Sequence, residues 1–193
     1  MLNLSRRSAL LQGTRLGASV LAVSRFALHS NQAMATNLMD QAQAQKLLLP
    51  EASSFTERPI PIDINTLAML AKLTDTRVPH GFSPACSQAS VNGKTLGWVL
   101  FDRVIGKVDW IDYAAGFKLD GSASGVEIMA YRESHGGEIR NKHWRQQFVG
   151  RQGPQQLRFG DDIKNISGAT LSCQHVSEGI QRLSALVKLS FNI

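Results

Sequence analysis

Residues 162–172 read Asp162-Ile163-Lys164-Asn165-Ile166-Ser167-Gly168-Ala169-Thr170-Leu171-Ser172. Ser167, Gly168 and Ala169 are small in succession and leave backbone N–H groups open to close approach by a bulky group. Thr170 follows, with a hydroxyl at the threshold of a helix. Unpaired amide donors and the positive end of a helix dipole would meet a phosphate there. The segment therefore predicts a phosphate seat with a hydroxyl at its centre. The same residues also suit an ordinary capping turn with Thr170 or Ser172 as N-cap, and composition alone favours that commoner use.

The elements that would position this segment are read from hydrophobic period. Val176, Ile180, Leu183 and Val187 fall at i, i+4, i+7 and i+11, which predicts one apolar stripe on a final helix from about Ser172 to Lys188. Upstream, Leu96 to Val104 and Val108 to Phe117 read as strands, with Asn92-Gly93 and Lys118-Leu119-Asp120-Gly121 as turn chemistry. Gly125 to Tyr131 alternates, with Val126, Ile128 and Ala130 on one face and Glu127, Met129 and Tyr131 on the other. Lys142 to Val149 predicts a short helix carrying Trp144 and Phe148, and Asp63-Ile64-Asn65-Thr66 starts another with Leu67, Leu70, Ala71 and Leu73 on one face. Pro50, Pro59 and Pro61 break regular structure across 36–62, an extended or partly helical lead-in. The expected class is α+β: a small twisted antiparallel sheet packed with helices, the last of them following the Ser-Gly-Ala-Thr run.

The 193 residues carry a formal charge of +6, but the excess is local. Residues 1–35 hold Arg6, Arg7, Arg15 and Arg25 and no acidic side chain, so the remaining 158 carry 17 basic against 15 acidic residues. A body so nearly neutral, with no Lys/Arg-rich run and no aromatic stacking platform, gives no reason to expect nucleic acid as a partner. The first 35 residues read as a targeting signal: Ser5-Arg6-Arg7-Ser8-Ala9-Leu10, an apolar stretch from Leu16 to Leu28, then Ala33-Met34-Ala35 with cleavage before Thr36. The twin arginine resembles the signal of the Tat pathway. The expected division is a signal peptide over 1–35, a lead-in over 36–91 and the main domain over 92–193. Two cysteines, Cys86 and Cys173, sit in no metal-ligand spacing, so zinc is not expected; sequence leaves open whether they pair. Neither a dinucleotide-binding GxGxxG run nor a nucleophile–His–Asp arrangement is discernible.

The run Ser167-Gly168-Ala169-Thr170-Leu171-Ser172 resembles the SGATxS/T signature of the FMN-binding domain family, the NqrC- and RnfG-like covalent flavoproteins and their small exported members. The order of meander, Gly136-Gly137 turn, Trp144 segment and terminal helix follows the family over about residues 92–189. The resemblance implies FMN as cofactor, joined by a flavin transferase through a phosphoester to Thr170. It also implies a site made by Ser167, Gly168, Ala169, Leu171 and Ser172 around that acceptor. His135, Gly136 and Gly137 join the expected site, because glycines in that turn would let backbone approach the ring or the ribityl chain. Trp144 and Phe148 at helical spacing suit the core more than the ring, and Arg140, Arg145 and Arg151 a solvated face more than a flavin counter-charge. His175, one turn past Ser172, is a cap or an exposed side chain. The chain departs from the family at Lys164, where many members have Asp, with Asp161 and Asp162 just upstream, and at Cys173, where Ser or Thr is frequent.

Together, signal and signature imply a periplasmic flavoprotein, or one on the outer face of the cytoplasmic membrane, passing electrons between membrane-associated redox proteins. Two alternatives stand beside it: a cofactor-free accessory module of a membrane complex, and a flavin-dependent reductase with its own substrate.

Overall fold

The computed structural model describes residues 36–193; the expected leader, 1–35, lies outside the described residues. Six strands form one sheet in the order β1-β6-β5-β4-β3-β2, every pair antiparallel. They are β1 (Thr36–Asn37), β2 (Ser54–Glu57), β3 (Ala85–Val91), β4 (Lys94–Ile105), β5 (Trp110–Lys118) and β6 (Ala123–Tyr131). The helices are α1 (Gln41–Leu48), α2 (Ile64–Thr74), α3 (Lys142–Arg145) and α4 (Thr170–Phe191). The architecture is α+β, a meander with helices on both faces.

Local chemistry sets most element ends. Asn92 and Gly93 both take positive φ, 51° and 73°, which lets a two-residue turn join β3 to β4 with the twist of its strands. Gly121 N–H donates to the Lys118 carbonyl at 2.9 Å and closes the β5–β6 hairpin. Asp63 caps α2 by accepting from Thr66 N–H at 2.7 Å. Asp40 and Gln43 form a reciprocal capping box at the start of α1.

The main core lies between the sheet and α4. Val176, Ile180, Leu183 and Val187 are all fully buried, as the stripe requires. Burial of such side chains is worth about 1.5–3 kcal/mol each relative to exposure, so this face fixes α4 on the sheet. Leu70 of α2 and Trp144 and Phe148, ring centroids 5.2 Å apart, complete the same core. The opposite face is smaller, with Ala44 and Leu48 of α1 packed on Val99, Phe101 and Ala114.

The structure departs from the sequence reading at several points. Within 36–91, β2 and β3 are regular strands; Ala85–Val91 is made of small and polar residues, and its pairing comes from β4 rather than from its own pattern. Val108 lies before β5, in the turn, rather than at the start of a strand. Helix α4 starts at Thr170, two residues earlier than its apolar stripe indicates. Tyr131 does not face away from Ile128. Pairing steps from Asp112–Ala130 to Tyr113–Ile128, which leaves Met129 as the extra residue of a β-bulge. One inserted residue reverses the alternation beyond it, so Tyr131 joins Val126 and Ile128 in the main core. Cys86 and Cys173 are both buried free thiols; the open question of their pairing is settled against a disulfide. Burial pushes the Cys86 thiol up to about 12.

Candidate functional site

Helix α4 begins without a side-chain cap. Ala169 is its N-cap, so neither Thr170 nor Ser172 plays the capping role, and Thr170 is the first helical residue. Gly168 just before it has φ 87°, a left-handed conformation that a glycine adopts without strain. The Ala169 N–H donates back to Ile166 O at 3.0 Å, which tightens the turn into the helix. The Thr170 hydroxyl is exposed and accepts from Asn165 Nδ2 at 3.1 Å. A helix start that lacks its own cap keeps its amides and its partial positive charge for another acceptor.

The approach to this turn is braced from α3 and the single turn that follows it, Gln146–Phe148. Trp144 Nε1 donates to the Lys164 carbonyl at 2.8 Å, and Lys164 N–H donates to Gln147 Oε1 at 2.9 Å. The Lys164 amine is engaged in its own loop, donating to Gly160 O and Asp161 O at 2.8 Å each. It is therefore folded back rather than extended toward Thr170. Asp162 pairs with Arg151 at 3.4 Å and accepts from Arg158 N–H. Cys173, in the second departure from the signature, is fully buried and belongs to the core.

Three chain segments enclose a cleft of about 450 Å³ at this helix start. One wall is Gly168, Ala169, Thr170, Leu171 and Ser172; the second is Glu133, Ser134, His135 and Gly136; the third is Lys107 and Val108 from the β4–β5 turn. Seven of the nine residues expected from sequence thus meet. Ser167 and Gly137 do not line the cleft; Gly137 instead gives its carbonyl to Arg140 Nε at 2.9 Å. The close approach of the second segment depends on Gly136, at φ 84°: a Cβ there would lie 2.7 Å from Tyr131 Oη and 3.2 Å from Ser172 Oγ.

Lys107 and Val108 are not among the residues expected from sequence, because the β4–β5 turn is far from the motif along the chain and only the sheet brings them together; Glu133 and Ser134 enter the cleft with the neighbouring His135 turn. The Gly106-Lys107 step between two strands was the available signal. Val108 and Leu171 are large apolar side chains left 78% and 45% exposed at the cleft, so it has apolar walls. Among the described residues that line it, Lys107 is the one permanent cation and Glu133 the one carboxylate. The three arginines weighed from sequence lie elsewhere. Arg145 pairs with Glu127, Arg151 with Asp162, and Arg140 sits over the Tyr131 ring at 5.9 Å. His175 Nδ1 lies 2.6 Å from the Ile105 carbonyl, which can only accept, so that nitrogen carries the proton and ties α4 to the end of β4. Among the described residues, no group of three or more His, Cys, Asp or Glu is placed to hold a metal ion.

An open cleft of this size suits a nucleotide-sized ligand. Its parts are those a flavin mononucleotide calls for: free helix-terminal amides for the phosphate, and apolar walls with few polar groups for the ring. No curated protein matches the chain. The family model described as the FMN-binding domain matches residues 106–185, a span that begins at the Gly106 turn and runs through the cleft into α4. The stretch of chain that builds the cleft at Thr170 is thus the stretch that is similar to the FMN-binding domain.

Proposed function

We propose that this chain is an exported electron carrier that holds FMN covalently, as a phosphoester on the Thr170 hydroxyl, and passes electrons between membrane-associated redox proteins. The observation that carries the reading is the exposed Thr170 hydroxyl at an uncapped helix start, facing a cleft with apolar walls. Bound there, FMN would supply reversible one- and two-electron redox chemistry. The chain's own part is to hold and shield it. The Thr170 Oγ supplies the ester oxygen, and the first amides of α4 neutralise the phosphate. Gly168 and Ala169 leave the backbone open, and Val108 and Leu171 give the ring apolar surface. Lys107 favours negative charge in the cleft, including that of a reduced ring.

Export rests on the twin-arginine leader and the Ala33-Met34-Ala35 site. Among the described residues, no helix is long and apolar enough to cross a membrane. On this reading the protein works at the outer face of the cytoplasmic membrane or in the periplasm, after maturation by a flavin transferase.

The test is expression with an FMN transferase, followed by denaturation and acid precipitation, with Thr170→Ala in parallel. Flavin fluorescence in the wild-type pellet and none in the variant's is the expected result. Flavin in the supernatant alone would replace the ester with reversible binding. A wild-type protein without flavin in either fraction would leave a cofactor-free accessory module as the function.

A further inference from the structure

We propose that Glu133 is a positioning residue for the cofactor site: its carboxylate pins the Gly106–Asp109 turn, so that Lys107 and Val108 form a fixed wall of the Thr170 cleft. The proposal rests on the flavin reading above and adds to it the residue that sets one side of the flavin's surroundings.

The turn connects β4 to β5, whose last pair is Ile105–Trp110. A hairpin loop of this kind, carrying an exposed Val108 and an exposed Lys107, is ordinarily among the more mobile parts of a fold. Here a single carboxylate from a third strand's end holds it. Glu133 Oε1 accepts from Val108 N–H at 2.8 Å and from Asp109 N–H at 3.2 Å. Bonds from amides to a charged acceptor are stronger than neutral ones. The turn also closes on itself, Gly106 N–H donating to Asp109 O at 2.7 Å.

Glu133 in turn stands on a firm base. It follows β6 by two residues, and the intervening Arg132 is bound to Asp112 at 2.6 Å and to the Trp110 carbonyl at 3.2 Å. The pin therefore joins two rigid strand ends.

Gly106 makes room for it. The backbone of Gly106 is outside the left-handed region, so an alanine is allowed there on conformational grounds. What it would push aside is the carboxylate: an added Cβ would collide with Glu133 Oε1 and lie 2.8 Å from its Cδ. Gly106→Ala therefore displaces the carboxylate without removing its charge, whereas Glu133→Gln removes the charge and keeps an acceptor oxygen in place. The two variants separate position from charge.

The experiment uses the full chain loaded with flavin, as wild type, Glu133→Ala, Glu133→Gln and Gly106→Ala. It reads amide exchange at Val108 and Asp109, iodide quenching of the bound flavin, and the flavin midpoint potential. Glu133→Ala and Gly106→Ala are expected to speed exchange at both amides by about 10-fold or more, the scale of losing a charge-assisted bond. Both are also expected to raise flavin quenching. Gly106→Ala, with every charge retained, shifts the potential through the displaced wall. Glu133→Gln, which keeps an acceptor oxygen without the charge, speeds exchange less than Glu133→Ala and keeps quenching near wild type. Unchanged amide exchange in both Glu133→Ala and Gly106→Ala overturns the pin. Freed amides with wild-type quenching and potential in Gly106→Ala overturn its role at the cofactor. A wild-type protein that takes up no flavin overturns the functional reading and this one with it, whereas a loaded protein indifferent to these changes overturns this one alone.

Discussion

Tyr131, in the main core, and Ser172, which lines the cleft, are 41 residues apart in sequence and meet through their hydroxyls at 3.2 Å. The Tyr131 hydroxyl has one hydrogen and gives it to the His135 carbonyl. Ser172 must therefore be the donor to Tyr131 Oη. This chain of two bonds ties the end of β6, the His135–Gly136 turn and the first turn of α4 into one unit. Burial holds the Tyr131 phenol above its ordinary value, so it stays a donor across the working pH range.

Tyr131→Phe removes the link and leaves Ser172 Oγ, on a residue only 4% exposed, short of a partner. The expected cost is about 1–3 kcal/mol, the usual penalty for an orphaned buried polar group. Urea denaturation measures it. The same variant should loosen the Gly136 turn and lower flavin retention, whereas a loss below the error of the titration would show that the contact carries no weight.

At Thr170 itself the hydroxyl is the chemistry and the side chain is otherwise dispensable. Thr170→Ser should keep covalent flavin, while Thr170→Ala and Thr170→Val should lose it. All three should unfold within about 0.5 kcal/mol of wild type, because the residue is exposed and caps nothing. Mass spectrometry of the intact chain, set beside thermal melts, checks both halves. Label retained by Thr170→Ala would move the attachment point elsewhere.

Gly179 tests the fit of α4 on the sheet. Glycine inside a helix is normally worse than alanine by about 0.8–1.0 kcal/mol, so Gly179→Ala would ordinarily stabilise. Here the added Cβ would meet the hydroxyl of the fully buried Tyr113, with its Cζ at 2.9 Å and Val104 Cγ1 at 3.1 Å. Tyr113 also donates to Asp102 at 3.0 Å and is not free to move. Overpacking costs about 1–3 kcal/mol and outweighs the helix gain. A net loss of stability in chemical denaturation is expected, and a gain would show that Tyr113 can withdraw.

Asp63 links stability to pH. Its bonds to Thr66 hold the carboxyl below its ordinary 3.8. A depressed carboxyl contributes fully above that unfolded-state value, and its contribution fades as pH falls through the lower folded-state value. Wild type should therefore exceed Asp63→Ala in stability at pH 6, and the gap should close in acid below the ordinary value. Asp63→Asn, which keeps a capping oxygen, should show a smaller dependence on pH. Paired urea titrations at several pH values give the comparison.

Much of this protein is written locally. The stripe Val176, Ile180, Leu183 and Val187 announces α4 because each side chain reports its own face of the helix. Asn92-Gly93 and Asp120-Gly121 mark hairpins because their turns demand positive φ at the glycine. The Ser167–Ser172 run carries the resemblance to the FMN-binding domain family, and with it the expected cofactor, in six contiguous residues.

Tertiary structure decided what period and motif cannot express. Ala85–Val91 is a strand because β4 pairs with it, a cause outside the segment. The bulge at Met129 turns Tyr131 inward, and no pattern read along β6 shows where an extra residue will be left unpaired. Lys107, Val108 and Glu133 reach Thr170 only because β4 and β6 end, and β5 begins, at the same edge of the fold as α4 begins. The sequence names the hydroxyl, and contacts between residues distant in the chain build the walls around it.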